Sequence, residues 1–154
     1  MKKILLATLL SATLSGIVYA DQWNVITEHR NLDVIWLINK DSMQCDKNIC
    51  EAWIAEVNRK RERPYITALE FYEADCKKMR SRILSSAGYS GGKRVELWEG
   101  SDWERYPPGT IADSVVRTIC KKLPLRTHKV FKGNILEKER DIYNYLADLA
   151  KSNK

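Results

Sequence analysis

Short apolar runs of alternating polarity recur between residues 23 and 98, separated by polar, charged or glycine-containing connections. Alternation with a period of two places successive side chains on opposite faces of a β-strand. The predicted strands are Trp23–Thr27, Val34–Ile38, Glu51–Val57, Tyr65–Tyr72, Lys77–Leu84 and Lys93–Trp98. With no helical segments between them, they are typical of an antiparallel meander with one buried and one solvated face. We expect a turn over residues 85–92, and we expect Val95 and Leu97 to point inward.

The pattern changes to a helical one after Gly109. Thr110 is a suitable N-cap, with Asp113 at the capping-box position. Apolar residues then recur at i, i+4 as far as Cys120, which predicts a helix with a broad apolar face that carries this cysteine. Asn134 predicts the start of a second helix that runs to about residue 150. The expected fold class is therefore α+β: an antiparallel meander sheet of about six strands, with a C-terminal helix packed on one face and a second terminal helix.

Residues 1–20 have the pattern of a secretory signal peptide. A basic start at Lys2 and Lys3 precedes an apolar run from Ile4 to Val18, and small residues precede an expected cleavage site after Ala20. The alternative is a membrane anchor, but the run is shorter than the roughly 20 residues needed to cross a bilayer. We therefore expect an exported chain, either periplasmic or secreted, with display on the cell surface as a further possibility.

Four cysteines suit an oxidising compartment: Cys45, Cys50, Cys76 and Cys120. An even number in an exported chain predicts disulfides, and three pairings are possible. Cys45 and Cys50 bracket a polar stretch of turn type, so their pairing closes a short loop and leaves Cys76 for Cys120. Zinc is the alternative for four cysteines and two histidines, but the spacing fits no common zinc module. We expect no metal and no cofactor.

Positive charge is concentrated in the middle of the chain. The sequence has a net charge of +6, and Arg59–Arg94 holds ten basic and four acidic residues. Such a region suits an acidic partner or an anionic surface, and the alternative is a solvated strand face. The basic candidate binding residues are Arg59, Lys60, Arg61, Arg63, Lys78, Arg80 and Arg82. We expect Lys78, Arg80 and Arg82 to share one exposed face, and we expect the affinity for an anionic partner there to fall steeply with salt.

Aromatic residues in a polar loop form a second candidate. Trp103 and Tyr106 could anchor a partner, or they could cap the edge of the core. Catalysis has little support, because only His29 and His128 titrate near neutral pH and nothing in the sequence brings them together. No nucleophile motif around a serine is present. We therefore expect no enzyme.

The order of these features resembles the bacterial surface-adhesin protein E-like family. The resemblance rests on the alternating strand that leads into Cys76, on the Pro108-Gly109-Thr110 helix start and on Cys120 at the helix end. It implies an antiparallel sheet, a helix tied to it by a strand-to-helix disulfide, a surface or envelope location and a binding role. It predicts one domain over residues 21–122, followed by a basic linker and C-terminal helix over 123–154.

Three functions remain open on sequence grounds. The first is an exported envelope binding module that recognises a protein or other anionic macromolecule, but not nucleic acid, through its sheet face or loops. The second is a periplasmic inhibitor or immunity-type protein, whose positive charge disfavours basic targets. The third, a small secreted hydrolase, has the least support. Surface display separates the first from the second, and activity loss in a double His29 and His128 variant would be needed for the third.

Overall fold

A computed structural model describes residues 21–28, 33–59, 66–125 and 129–152. The predicted signal peptide, His29, His128, Lys60, Arg61 and Arg63 lie outside these ranges. The strands are β1 (Gln22–Glu28), β2 (Val34–Asn39), β3 (Gln44–Asp46), β4 (Ile49–Asn58), β5 (Thr67–Asp75), β6 (Arg80–Ser90), β7 (Lys93–Trp98) and β8 (Val130–Lys132). The helices are α1 (Ile111–Ile119) and α2 (Glu139–Ser152), with short 3-10 helices at Lys40–Ser42 and Ile135–Glu137.

The strands form one antiparallel sheet, so the predicted α+β class is confirmed. Its order is β7-β6-β5-β4-β2-β1-β8, and the short β3 pairs with β4 beyond the end of β2. Strands β4, β5, β6 and β7 follow each other as a meander, as the sequence predicted. The predicted meander did not include β8, a strand from the C-terminal region that pairs with β1. The sequence missed β3 and β8 because three residues are too few to show a period.

The sheet is buried on both faces at its centre, where the sequence predicted one buried and one solvated face. Alternate residues of β1, β2 and β4 enter two separate cores. Val25, Leu37 and Val57 pack with Ile142 and Leu146 of α2. Residues of opposite parity pack with Val115 and Ile119 of α1; they include Ile38, Ala52 and Ile54. The two helices therefore cover opposite faces of the sheet.

The outer part of the sheet departs from the prediction. Lys77, Lys78 and Met79 form the turn after β5, and β6 begins only at Arg80. It then continues to Ser90 through the segment that was predicted to be a turn. Val95 and Leu97 were expected to point inward, which is wrong, because they are 50% and 65% exposed. They lie on β7, the edge strand beyond the reach of both helices.

Two disulfides link the elements, in the pairing expected from the sequence. Cys45 and Cys50 lie directly opposite each other on β3 and β4. Cys76 follows β5, and its Sγ is bonded to that of Cys120, the C-cap residue of α1. The second bridge therefore fastens the end of α1 to the turn between β5 and β6.

Polar side chains cap the start of α1 and the start of the 3-10 helix that precedes α2. Thr110 Oγ1 accepts a hydrogen bond from the Asp113 N–H at 3.1 Å, so the predicted N-cap is confirmed. Asn134 instead caps the 3-10 helix, and α2 begins five residues later. Among the described residues, neither helix has the length and apolar character required to cross a membrane.

Candidate binding surface

Helix α2 leaves one half of its sheet face uncovered. The helix side packs against Ala55 and Val57 of β4, and Glu139 Oε1 accepts a hydrogen bond from Thr67 Oγ1 at 2.9 Å. Further along the same face, Trp53 is 36% exposed. Its ring lies opposite that of Phe71 on β5, with 5.0 Å between the ring centroids. We call the uncovered surface the open face: Glu51, Trp53, Phe71, Glu73, Arg80, Arg82 and Trp103.

Trp103 reaches the open face because its loop runs along the edge of β6. The Ser101 N–H donates to the Ile83 carbonyl at 2.8 Å, and Glu104 and Ser81 exchange backbone hydrogen bonds of 2.8 and 3.0 Å. This pairing holds the indole beside two guanidinium groups. Arg80 Cζ lies 4.7 Å and Arg82 Cζ 4.8 Å from the ring centroid. The structure thus joins two predicted candidate groups, the basic strand residues and the loop tryptophan.

Carboxylates compensate the positive charge of the open face. Arg82 Nε contacts Glu73 Oε2 at 2.5 Å, and Arg80 Nε contacts Asp75 Oδ2 at 3.4 Å. Desolvation alone would raise the pKa of Asp75, but the Lys78 N–H and the charges of Lys78 and Arg80 outweigh it and hold that pKa below its usual value. The arginines are therefore ordered parts of ion pairs rather than a bare positive stripe.

The remaining sequence candidates lie elsewhere. Lys78 is in the turn beside Asp75, with its Nζ 3.9 Å from Oδ2. Arg59 is at the opposite end of the sheet, where its N–H donates to the Asp33 carbonyl at 2.7 Å. The strand that follows its loop enters the sheet beside Tyr89, roughly 20 Å along β6 from Arg82. Arg59 therefore does not form one surface with Arg80 and Arg82.

Tyr106 belongs to the other side of the sheet. Burial raises its pKa; a hydrogen bond with Ser81 opposes this rise, and Glu104 adds to it. Nearby Tyr72 is buried in the core beneath α1, and its pKa is raised by that burial and by Glu70. The structure therefore separates Tyr106 from Trp103, although they were predicted to act as one aromatic pair.

Sequence reasoning missed the exposed part of Trp53 and the role of Phe71. Both were assigned to strands, with no expectation of an exposed aromatic surface. Alternation shows which residues share a face, but it does not show how far a helix extends over that face. The one available signal was the pair of carboxylates, Glu51 and Glu73, on the same face of the two strands, because acidic side chains avoid a helix-covered core.

No metal centre emerges from the ranges that the structure describes. No group of three or more His, Cys, Asp or Glu side chains in these ranges could hold a metal ion. The four cysteines are consumed by the two disulfides. What the open face offers instead is aromatic surface beside ordered arginines, a composition typical of the centre of a protein interface.

The fold and the open face define a small disulfide-linked α+β protein whose sheet has one helix on each side. Comparison with family models then identifies it: residues 8–121 match the model of surface-adhesin protein E, and the chain belongs to that family. The family suggests a non-enzymatic protein with an exported or surface location. No curated protein and no solved structure matches the chain significantly.

Proposed function

We propose that this chain is an exported bacterial envelope binding module that holds a macromolecular partner, most simply a protein, against the open face. Membership of a surface-adhesin family supports the binding role. The observation that carries the choice of surface is the pairing of Trp103 with Arg80 and Arg82 beside the exposed Trp53. Trp and Arg are the side chains that most often dominate the energy of protein interfaces.

Order in these side chains favours binding. Trp103 is held by a backbone pairing and by two guanidiniums, and each guanidinium is held by a carboxylate. A side chain that is already fixed loses little entropy when a partner covers it. Because the ion pairs cancel most of the charge, affinity comes from the aromatic surface and from hydrogen bonds around it. We therefore expect a moderate salt dependence, smaller than a bare basic stripe would give.

The test begins with a pulldown from envelope and culture-medium fractions, using the disulfide-bonded protein as bait. Affinity for the captured protein is then compared between wild type and the double variant Trp53→Ala with Trp103→Ala. Loss of two central aromatic contacts should weaken binding about 30-fold or more. Leu123→Ser is the matched control, because Leu123 is a 38% exposed apolar residue away from the open face.

Unchanged affinity in the double variant, with the melting temperature retained, would assign binding to another surface. The location of the protein then separates an adhesin from an inhibitor. Antibody labelling of intact cells detects an adhesin at the surface, whereas an inhibitor of envelope toxins is detected only after the outer layer is opened.

A further inference from the structure

A groove runs between helix α2 and β8, the strand at the opposite edge of the sheet from β7. Its volume is about 460 Å³. The strand side includes Lys129, Val130, Phe131 and Lys132, and the helix side includes Asp141 and Tyr145. Since β8 is the last strand in the sheet order, one side of it pairs with β1 and the other faces this groove.

The hydrogen bonding of β8 shows which backbone groups face outward. The Gly133 N–H donates to the Asp21 carbonyl at 2.8 Å, so this pair is a hydrogen-bonded one. Antiparallel ladders alternate hydrogen-bonded and non-hydrogen-bonded pairs. Phe131, opposite Trp23, therefore bonds to β1, whereas the N–H and C=O groups of Val130 and Lys132 point away from it. Four backbone groups are thus presented to the groove in the spacing of a strand.

The side chains of the groove set its charge preference. Lys129 Nζ lies 5.0 Å from the Phe131 ring centroid and 5.6 Å from that of Tyr145. The two acidic residues of the groove each face a lysine of the same helical region: Asp141 faces Lys138 at 3.8 Å, and Asp148 faces Lys151 at 3.3 Å. With these carboxylates compensated, Lys129 leaves the groove positively charged on its helix side. Lys132 adds positive charge at the same edge, on the opposite face of β8 from Phe131.

We propose that this groove binds an extended peptide segment with acidic side chains, which adds to β8 as a further antiparallel or parallel strand. Strand addition uses main-chain hydrogen bonds for affinity and flanking side chains for specificity. The outward N–H and C=O groups of Val130 and Lys132 supply the main-chain hydrogen bonds. The side chains of Lys129 and Lys132 supply the preference for acidic residues. The site lies at the opposite edge of the sheet from the open face. It does not depend on the function proposed for that face.

The probe is an end-capped eight-residue peptide that alternates valine and glutamate, titrated against the full disulfide-bonded chain at low salt. Its control alternates valine and lysine. We expect the acidic peptide to bind and the basic peptide to fail. Hydrogen exchange followed by NMR should then slow at the Val130 and Lys132 amides. The Phe131 amide is an internal control, because its bond to β1 already protects it.

Two pairs of variants separate the contributions. Lys129→Ser with Lys132→Ser should weaken peptide binding about fivefold to tenfold, since two exposed charges are lost. Lys93→Ser with Arg94→Ser removes the same charge from β7 and should have no effect. Lys132→Pro should bind more weakly than Lys132→Ser, because proline also removes one outward N–H while the bonds to β1 remain.

Equal binding of the basic peptide, or unchanged exchange at Val130 and Lys132 with the acidic peptide bound, would overturn the proposal. So would loss of binding in the β7 variant. A dimer of the chain that Lys132→Pro dissociates would assign the groove to a second copy instead. Binding of the pulldown partner to the open face is measured in the same variants and should stay at the wild-type level, so the two proposals can fail separately.

Discussion

Trp103 organises the open face because it contacts Arg80 and Arg82, which are two residues apart on β6 and therefore lie on the same face of the strand. Each guanidinium lies 4.7 or 4.8 Å from the indole centroid while its Nε contacts a carboxylate. Lysine could supply the charge but not the flat, forked geometry. The carboxylates of Glu73 and Asp75 therefore help to fix the aromatic surface as well as to cancel charge.

Asp75 gives a pH test of this arrangement. Its pKa is lowered in the folded chain by the Lys78 N–H and by the charges of Lys78 and Arg80, despite partial desolvation. The folded state therefore favours the ionised carboxylate. The resulting stability is complete above the ordinary value of 3.8 and disappears as the pH falls below it.

We predict that Asp75→Asn lowers the free energy of unfolding at pH 7 and makes it less sensitive to pH below about 4. Urea unfolding at pH 7, 4 and 3 measures both effects. Asp148→Asn is the control, because Asp148 is 75% exposed in its side chain and lies on α2. Parallel pH curves for wild type and Asp75→Asn would contradict the assigned role of Asp75.

At the level of single elements, α1 depends on its attachments. It has nine residues, too few for a stable isolated helix in water. Thr110 caps its start, Arg117 Nε contacts Asp113 Oδ2 at 2.9 Å, and Cys120 fastens its end to Cys76. Its buried residues, Val115 and Ile119 among them, then cover one face of the sheet.

We predict that Cys76→Ser with Cys120→Ser lowers the free energy of unfolding by ~2–4 kcal/mol. The bridge closes a sequence separation of 44 residues, whereas Cys45–Cys50 closes one of 5. In the chain-entropy account, Cys45→Ser with Cys50→Ser should cost about 2 kcal/mol less. Denaturant unfolding of the two double variants measures the difference. An equal or larger loss in the Cys45 and Cys50 variant would count against this account.

The sequence predicted elements well where a period was long enough to read. Alternation gave the core of β1, β2, β4 and β5, and the i, i+4 pattern with Thr110 gave α1. The continuation of β6 to Ser90 was missed because its serines and glycine are typical of turns. Gly88 is buried there, between β5 and β7, so neighbouring strands impose the extended form that local preference does not.

The candidate site was predictable only in part. Arg80, Arg82 and Trp103 were each identified from local patterns, but their contact depends on how residues 101–104 follow β6. Lys78 was placed on the strand because alternation of charge continued through residues that form the turn. Tyr106 was paired with Trp103 by proximity in sequence, whereas the chain crosses to the other side of the sheet between them.

At the level of the whole molecule, the sheet and its two helices form one structure that extends past the predicted boundary at residue 122. Strand β8 pairs with β1, and α2 packs against residues of β1, β2 and β4. The match to the family model ends at residue 121, so much of one core is supplied by the segment beyond it. The boundary at 122 remains a prediction about family organisation.

We predict that truncation after Lys122 abolishes cooperative folding. It removes Phe131, Ile135, Ile142 and Leu146, which are at most 4% exposed. Burial of four such side chains stabilises the fold by about 6–12 kcal/mol, comparable to the total stability of a typical domain. Thermal unfolding followed by near-UV circular dichroism and size-exclusion chromatography measures the result.

Two point variants test the contribution of α2 to the free energy of unfolding. Leu146→Ala should cost about 2–5 kcal/mol through the cavity it leaves. Asn144→Ala, at an exposed position of α2, should change stability by less than about 0.5 kcal/mol. A truncated chain that still melts cooperatively would contradict the view that residues beyond 122 complete the core.

The pairing of β1 with β8 also bears on how quickly the chain can reach its native state. Gln22 lies opposite Lys132, so one of the first residues after the predicted cleavage site must find one of the last parts of the chain. Contacts between such distant positions slow folding, because a long loop must close before any of them forms. A chain that emerges N-terminus first cannot complete this core until its C-terminal helix has also emerged. The core beneath α2 therefore stays incomplete, with its apolar residues on β1, β2 and β4 uncovered, for almost the whole of synthesis.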